Sequence, residues 1–435
     1  MPPSRFEDGS ATVGIIGLGY VGLPLLGAFC EAGLQVLGFD NDPQKIRQFE
    51  HGENYLNHLG HDFVRRLRDT GRCQVTDDFD RLGEADALLI CLPTPLDRHL
   101  QPDLSYVEQT SDAIARTLRA GQLIVLESTT YPGTTRELLL PRFERDGLVC
   151  GRDFWLAFSP EREDPGSADH STRTIPKLVG GIDPESGRHA VALYRHAIEH
   201  VVPVRTAEVA EAAKLLENIY RAVNIAMVNE MKILLTALGI DVWEVIEAAA
   251  TKPFGFKAFY PGPGLGGHCI PIDPYYLAWK AREAGLPARF IELAGEVNRS
   301  MPDYVVQRTL RALNDCGKAV RGARIMVIGL AYKRDVDDIR ESPSFDVIEK
   351  LQALGADVCY HDPHVEATHS MRHHDLKMTS TDLSADALEK IDCVLIATDH
   401  SACDWQMIAD HAPLIVDTRH VMANVNGPKD HVVDA

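Results

Sequence analysis

Two stretches decide the fold: Val13-Gly-Ile-Ile-Gly17-Leu-Gly19-Tyr-Val-Gly22 near the start of the chain and Arg324-Ile-Met-Val-Ile-Gly329-Leu330 in its last third. Each is a short apolar run ending in glycine. A second apolar run follows each one and ends in aspartate: Gly33-Leu-Gln-Val36-Leu-Gly-Phe-Asp40 in the first case, Gly355-Ala-Asp-Val358-Cys-Tyr-His-Asp362 in the second. The glycine–valine–aspartate spacing is identical. Later runs correspond too, Ala87–Leu92 with Cys393–Ala397 and Leu123–Leu126 with Leu414–Val416. Near-continuous apolar runs alternating with longer amphipathic segments are what buried parallel strands and crossover helices require. The sequence therefore predicts an α/β protein with two Rossmann-like, doubly wound domains, one at each end.

Between them, residues 206 to about 300 read as mostly helical. Val209 to Leu235 contains neither Gly nor Pro, and Thr206 can cap its start. This predicts one long helix joining the domains, with a face suited to dimer formation. The expected division is 1–205 for a dinucleotide-binding domain, 206–302 for a central helical domain and 303–435 for a second nucleotide-binding domain.

Composition narrows the function classes. The 435 residues carry 44 Lys+Arg against 63 Asp+Glu, a formal charge of −19, which argues against broad binding to nucleic acid or anionic membranes. A hydrophobic content of 45% with 25% charged residues is that of an ordinary folded protein. No apolar run reaches the ~20 residues of a membrane span, and Met1 to Ser10 has no secretory apolar core. Nine cysteines without a CxxC fit no disulfide framework. A cytoplasmic protein is expected.

Gly17-x-Gly19-x-x-Gly22 follows a strand and opens a helix, and Asp40 comes 18 residues after Gly22. Glycines there permit a tight turn and close approach of the backbone to a pyrophosphate resting on a helix N-terminus. Asp40 suits the ribose hydroxyls and repels a 2′-phosphate, and Asn41-Asp42-Pro43 supplies no arginine to reverse that, so NAD is the expected cofactor. The C-terminal copy lacks the fingerprint: Ala331 replaces the second glycine, and Lys333, Arg334 and Arg340 follow, which suits a phosphate-bearing ligand unless they are solvated surface charges.

Pro261-Gly-Pro-Gly264-Leu-Gly266-Gly267-His268-Cys269-Ile-Pro-Ile-Asp273 places a cysteine in a glycine-rich loop before a helix. Such glycines imply unusual backbone angles or close contact with a ligand, and a thiol beside His268 is a candidate nucleophile. Lys214, Asn218 and Arg221 fall on one stripe of the long helix; they can hold a substrate oxygen, or simply form a solvated face. Glu127 to Gly133 and Phe158 to Arg162 are loops at strand ends of the first domain, where doubly wound folds bind ligands. His361 to His374 contains five histidines but matches no usual zinc spacing, so no metal is expected and an exposed loop is.

Taken together these motifs resemble the nucleotide-sugar 6-dehydrogenases, relatives of UDP-glucose dehydrogenase. The resemblance runs over nearly the whole chain: Gly17 to Gly22, Ser128-Thr129 with Pro132-Gly133, Ser159-Pro-Glu161-Arg162, Lys214 with Asn218, Asn229-Glu230, the Gly-Gly-x-Cys loop with Asp273, and Asp338-Ile-Arg-Glu-Ser-Pro343. It implies a four-electron oxidation of a sugar C6 alcohol to a carboxylate with two NAD in succession. It further implies that Cys269 forms a thiohemiacetal and then a thioester, that Lys214 and Asn218 stabilise oxyanions, that Asp273 and Thr129 assist proton transfer through a water, and that Glu161 serves the hydrolytic half.

The cofactor set is then Gly17, Gly19, Tyr20, Val21, Gly22, Asp40, Thr94 and Thr129. The UDP-sugar set is Glu161, Arg162, Lys214, Asn218, Tyr260, Gly264, Gly266, Gly267, Lys333 and Arg340. UDP-glucose enzymes commonly carry Phe-Pro-Lys-Asp after the cysteine and an Arg-Ile-Gly segment upstream; this chain has Ile270-Pro-Ile272-Asp273 and Phe254-Gly-Phe-Lys257. The form resembles the N-acetylhexosamine branch, most of all UDP-N-acetylglucosamine 6-dehydrogenases, with the manno and galacto epimers and UDP-glucose as alternatives. It implies a dimer-based oligomer and a role in polysaccharide biosynthesis. Two other readings are a two-electron hydroxy-acid dehydrogenase, which needs no cysteine, and a non-catalytic sugar-nucleotide-binding protein.

Overall fold

The computed structural model describes residues 4–56, 59–97, 99–144, 147–162, 172–267, 270–371 and 374–435. The chain divides into two compact units, Met1–Glu217 with Tyr275–Pro287, and Asn218–Pro274 with Ala288–Ala435.

In the first unit the strands are β1 (Thr12–Ile16), β2 (Gln35–Phe39), β3 (Cys73–Thr76), β4 (Ala87–Ile90), β5 (Leu123–Leu126), β6 (Trp155–Phe158), β7 (Lys177–Gly181) and β8 (Val201–Val204). Among the described residues they form an eight-stranded sheet of order β3-β2-β1-β4-β5-β6-β7-β8, parallel except where β7 meets β6. β4 and β5 are buried at every position, which is why they read as unbroken apolar runs rather than alternating ones.

The second unit holds β9 (Arg324–Ile328), β10 (Asp357–His361), β11 (Cys393–Ile396), β12 (Ile415–Asp417) and β13 (Val432–Asp434) in a parallel sheet of order β10-β9-β11-β12-β13. The predicted doubly wound domains are thus present at both ends. Their repeat extends to single hydrogen bonds. Leu18 N donates to the Asp40 carboxylate at 2.8 Å and Leu330 N to that of Asp362 at 2.7 Å. Thr12 N donates to Asp86 at 3.1 Å and Arg324 N to Asp392 at 2.8 Å.

The long helix runs Ala207–Ala237, two residues longer at each end than the sequence indicates, and at ~1.5 Å per residue spans about 46 Å. Thr206 Oγ1 accepts from Val209 N at 3.4 Å, as a cap would. Its inward stripe mixes apolar and polar groups: Leu215, Ala222 and Leu235 are buried, and so are Glu211, Lys214, Asn218, Asn229 and Lys232, while Tyr220, Met227, Met231 and Leu234 are exposed. Buried polar groups demand partners, so this face is built to hold specific hydrogen bonds. Helices Val242–Ala250, Asp273–Glu283 and Arg289–Asp315 follow. The last continues past residue 302 with Pro302 inside it. Among the described residues, no helix is long and apolar enough to cross a membrane.

Candidate functional site

The glycine turn after β1 needs its glycines for two different reasons. Gly17 has φ +93°, and a Cβ there would lie 2.4 Å from the Cys91 carbonyl oxygen; at Gly22, the first residue of helix Gly22–Glu31, a Cβ would lie 1.8 Å from the Gly17 oxygen. These two close the turn. Gly19 is different: a Cβ there would meet nothing within 4 Å, so space for a ligand rather than packing is what a side chain would take. Val21 also lines a small cleft shared with Leu25, Glu127, Pro160, Glu161 and Lys177. A tight turn at a helix N-terminus with an open central glycine fits the pyrophosphate of NAD.

Asp40 is buried at the end of β2 and accepts from Leu18 N, from Asp42 N at 2.9 Å and from Lys45 Nζ at 2.9 Å. The sequence reading looked for an arginine directly after Asp40 and passed over Lys45, whose place in the first turn of helix Pro43–His51 lets its side chain reach back to the carboxylate. Thr94 is buried, and its carbonyl accepts from the Tyr276 hydroxyl at 3.0 Å. Tyr20 and Thr129 are half-buried; Ser128, beside Thr129, accepts from Leu92 N at 2.9 Å and donates to the Ile90 carbonyl at 3.2 Å.

Lys214 and Glu161 meet in the first unit. The Lys214 ammonium donates to the Glu161 carbonyl at 2.5 Å and lies 3.7 Å from its carboxylate. Burial pushes the Glu161 carboxyl above its ordinary value, against the pull of Lys214 and Lys177. The Arg162 guanidinium forms a two-pronged pair with Glu217, at 2.6 and 3.2 Å, and donates to the Pro176 carbonyl at 2.6 Å.

In the second unit, Asn218 Nδ2 donates to the Asp273 carboxylate at 2.5 Å, both side chains being buried. Asp273 opens helix Asp273–Glu283, where the helix dipole favours a negative charge. A solvated face is thus excluded for Lys214 and Asn218 but describes Arg221, which is exposed.

His268 and Cys269 lie outside the described residues. The glycines before them are explained by protein contacts. A Cβ at Gly264 would lie 2.9 Å from Pro343, one at Gly266 2.4 Å from Tyr332 Cβ, and one at Gly267 2.9 Å from the Tyr332 ring. Gly264 and Gly267 also have φ of +144° and +84°. Gly267 N donates to the Arg340 carbonyl at 3.0 Å. The loop is therefore seated on the Tyr332 to Pro343 segment. Tyr260, half-exposed, stacks on Trp243 with ring centres 5.6 Å apart. Lys333 is half-buried, and Arg340 is held by a two-pronged pair with Asp338.

Asp362, the counterpart of Asp40 in the second copy, has its carboxylate oxygens taken by the protein itself. Asp362 accepts from Leu330, Ala331, His364 and Val365 N–H groups and from His400 Nε2 at 3.1 Å. Burial alone would raise its pKa, but His400 and these donors hold it below the ordinary carboxylate value. The histidine-rich stretch is not simply an exposed loop: His361 ends β10 with Nδ1 2.8 Å from the Thr381 carbonyl, and His374 lies 3.0 Å from Glu349; His373 is outside the described residues.

The sequence reading also passed over a buried lysine beside the site. Lys177, first residue of β7, pairs with Glu127 at 2.6 Å and donates to the Pro160 carbonyl at 3.2 Å, while the Tyr194 hydroxyl donates to the other Glu127 oxygen. A lysine opening an otherwise apolar strand was the available signal.

Fold and site together define a dinucleotide-dependent oxidoreductase with a second nucleotide-type domain. Residues 11–198 match the NAD binding domain of the UDP-glucose/GDP-mannose dehydrogenase family, 208–300 its central domain and 326–424 its UDP binding domain. The chain belongs to this family and is an NAD-dependent dehydrogenase.

It is 35% identical over 390 residues to Protein CapL of Staphylococcus aureus, covering 89% of each chain. It is 34% identical over 391 residues to the UDP-N-acetyl-D-glucosamine 6-dehydrogenase of Pseudomonas aeruginosa, covering 89% of this chain and 90% of that one. Among solved structures, the UDP-D-ManNAc dehydrogenase of Pyrococcus horikoshii superposes with a TM-score of 0.85 at 31% identity over 97% of this chain and 98% of that one.

Proposed function

We propose that the chain oxidises the C6 hydroxyl of a UDP-N-acetylhexosamine to a carboxylate, and that UDP-N-acetylglucosamine is the substrate. The observation that carries the reaction type is the buried polar stripe of the long helix, where Lys214 meets Glu161 and Asn218 meets Asp273. Burial strengthens such groups against charge that develops on a substrate oxygen. The choice of sugar is supported by the Tyr260 to Asp273 loop and by the Pseudomonas aeruginosa relative. A second reading, UDP-N-acetylmannosamine, is supported by the Pyrococcus horikoshii structure.

In this reading the Gly17–Gly22 turn, Asp40, Thr94 and Thr129 would hold NAD, and two NAD bound in succession would each take up one of the two hydrides lost from C6. Asp273, with Thr129 and a water, takes the hydroxyl proton in the first oxidation, while Lys214 and Asn218 stabilise the oxygen. The Cys269 thiolate adds to the C6 aldehyde, so the aldehyde stays attached. Loss of the second hydride leaves a thioester, and water directed by Glu161 cleaves the C–S bond to release the acid and the thiol. Four electrons leave the sugar and two NADH form.

Tyr260, Gly264, Gly266 and Gly267 shape the sugar subsite, which Arg162 borders while held by Glu217. Lys333 and Arg340 face the diphosphate, Arg340 being preset by Asp338. The three family matches support a working division into domains 1–205, 206–302 and 303–435. The exposed apolar stripe of the long helix supports a homodimer. The cytoplasm, where NAD and nucleotide sugars are made, is the assigned compartment, and an acidic sugar nucleotide for polysaccharide synthesis is the product.

The test is the NADH formed per UDP-N-acetylglucosamine consumed, with Cys269→Ala in parallel. Two NADH per sugar, and no acid released by the variant, are expected. One NADH per sugar overturns the four-electron reaction. No turnover of this sugar alongside turnover of UDP-N-acetylmannosamine overturns the substrate choice alone.

A further inference from the structure

Beneath the Pro160–Glu161 peptide lies a buried ion pair that the reaction scheme above does not use. Lys177 is about one-tenth exposed and Glu127 not at all. The Lys177 ammonium touches the Glu127 carboxylate at 2.6 Å and the carbonyl of Pro160, the residue before Glu161, at 3.2 Å; it also lies 5.2 Å from the centre of the Tyr194 ring. Both Glu127 oxygens are taken, one by Lys177 and the other by the Tyr194 hydroxyl. Glu127, Pro160, Glu161 and Lys177 all line the cleft that Val21 of the glycine turn also lines.

We propose that Lys177 is a positioning residue for Glu161: it anchors the peptide that carries Glu161, and its charge cancels that of Glu127 at the Glu161 carboxylate. This rests on the reading that Glu161 acts in the hydrolytic half of the reaction. Among the described residues, the charged and titratable groups facing Glu161 are Lys214 from the long helix, Lys177 from β7 and Glu127 from the end of β5; Tyr194 from helix Pro184–Ala197 meets them through Glu127, and Arg162 next in the chain is paired with Glu217. The two cations favour the ionised Glu161, whereas Glu127 and burial favour the protonated one.

The sign of the effect follows. With Lys177 removed, Glu127 faces Glu161 without a counter-charge, and Glu161 keeps its proton to higher pH. Removing Glu127 as well takes away both charges and returns Glu161 to a balanced setting.

The experiment compares the pH profile of kcat for acid release from the UDP-N-acetylhexosamine that the enzyme turns over. The proteins are wild type, Lys177→Met, Lys177→Arg, Glu127→Gln with Lys177→Met, and Glu161→Gln. Lys177→Met is expected to move the low-pH limb upward by about one pH unit, roughly tenfold in the proton equilibrium, with KM little changed. Lys177→Arg keeps the wild-type profile, and the double variant moves back towards it. The double variant also keeps the test decisive should Lys177→Met alone fail to fold, since it buries no unpaired charge: a limb near the wild-type position supports the proposal, and one displaced as far as a lone cation loss predicts overturns it. A low-pH limb unmoved in folded Lys177→Met, while Glu161→Gln abolishes acid release, overturns the proposal alone. Acid release and an unchanged limb in Glu161→Gln overturn the reading of Glu161, and the proposal with it.

Discussion

Replacing Glu211 by alanine should cost the first unit more stability than almost any other single change on the long helix. Its side chain is fully buried and accepts three hydrogen bonds, from Gly133 N at 2.6 Å, Thr135 N at 2.9 Å and Thr135 Oγ1 at 2.7 Å. Those donors close the turn that follows Ser128-Thr129. Alanine leaves two backbone N–H groups and a hydroxyl without their acceptor, at ~1–3 kcal/mol for each buried orphan. Because the hydroxyl can rotate towards another acceptor, a total of about 3–5 kcal/mol is expected. For a unit of this size ~1 kcal/mol corresponds to ~2–4 °C, so calorimetry on the full chain should show the first unit melting roughly 6–20 °C lower.

Glutamine separates shape from chemistry. Its single oxygen can serve either Gly133 or Thr135, and its amide then points a donor at the other, so about 1–3 kcal/mol should be lost although the volume is unchanged. Melting of Glu211→Ala within about 2 °C of wild type, against the several kcal/mol expected from the orphaned donors, would refute the assignment of these three bonds as the tie between helix and turn.

Two further outcomes are expected. Gly19→Ala should leave the melting temperature within about 1 °C while raising the Kd for NADH, followed by fluorescence, at least about tenfold, because its added methyl meets only ligand space; Gly17→Ala, whose Cβ would meet the Cys91 carbonyl at 2.4 Å, should lower both stability and affinity. An unchanged Kd in Gly19→Ala contradicts the placement of the cofactor. By analytical ultracentrifugation the 48.1 kDa chain should sediment as a dimer, and Met231→Glu with Leu234→Glu should make it monomeric; a monomeric wild type rules the homodimer out.

What was legible in the sequence follows the range of the interactions. β1, β4 and β9 are buried over nearly their whole length, so their apolar runs announce them locally. The long helix was readable from its lack of Gly and Pro. Its buried polar stripe was not, because Lys214 and Asn218 on a helix look like solvent-facing residues until Glu161 and Asp273 are brought to them across more than fifty residues of chain. Glu127 and Lys177 lie about as far apart in sequence, one just past β5 and the other on β7, strands that do not pair, and no local pattern connects them. The cysteine-loop glycines were read as a sign of unusual backbone angles or close ligand contact; Gly264 and Gly267 do have positive φ, and the close approach of Tyr332 and Pro343 is a further cause that no local pattern announces.

That seating has a consequence for how the chain is made. A ribosome releases residues 261–267 well before 332 and 343, and before Arg419, whose guanidinium lies 2.6 Å from where a Gly262 Cβ would be. Until those later residues emerge and fold, the glycine-rich segment has nothing to mould it, and glycine is the residue least able to hold a shape unaided. The stretch leading into Cys269 therefore takes its form only near the end of synthesis, and a truncated chain carries the cysteine without the cradle that precedes it.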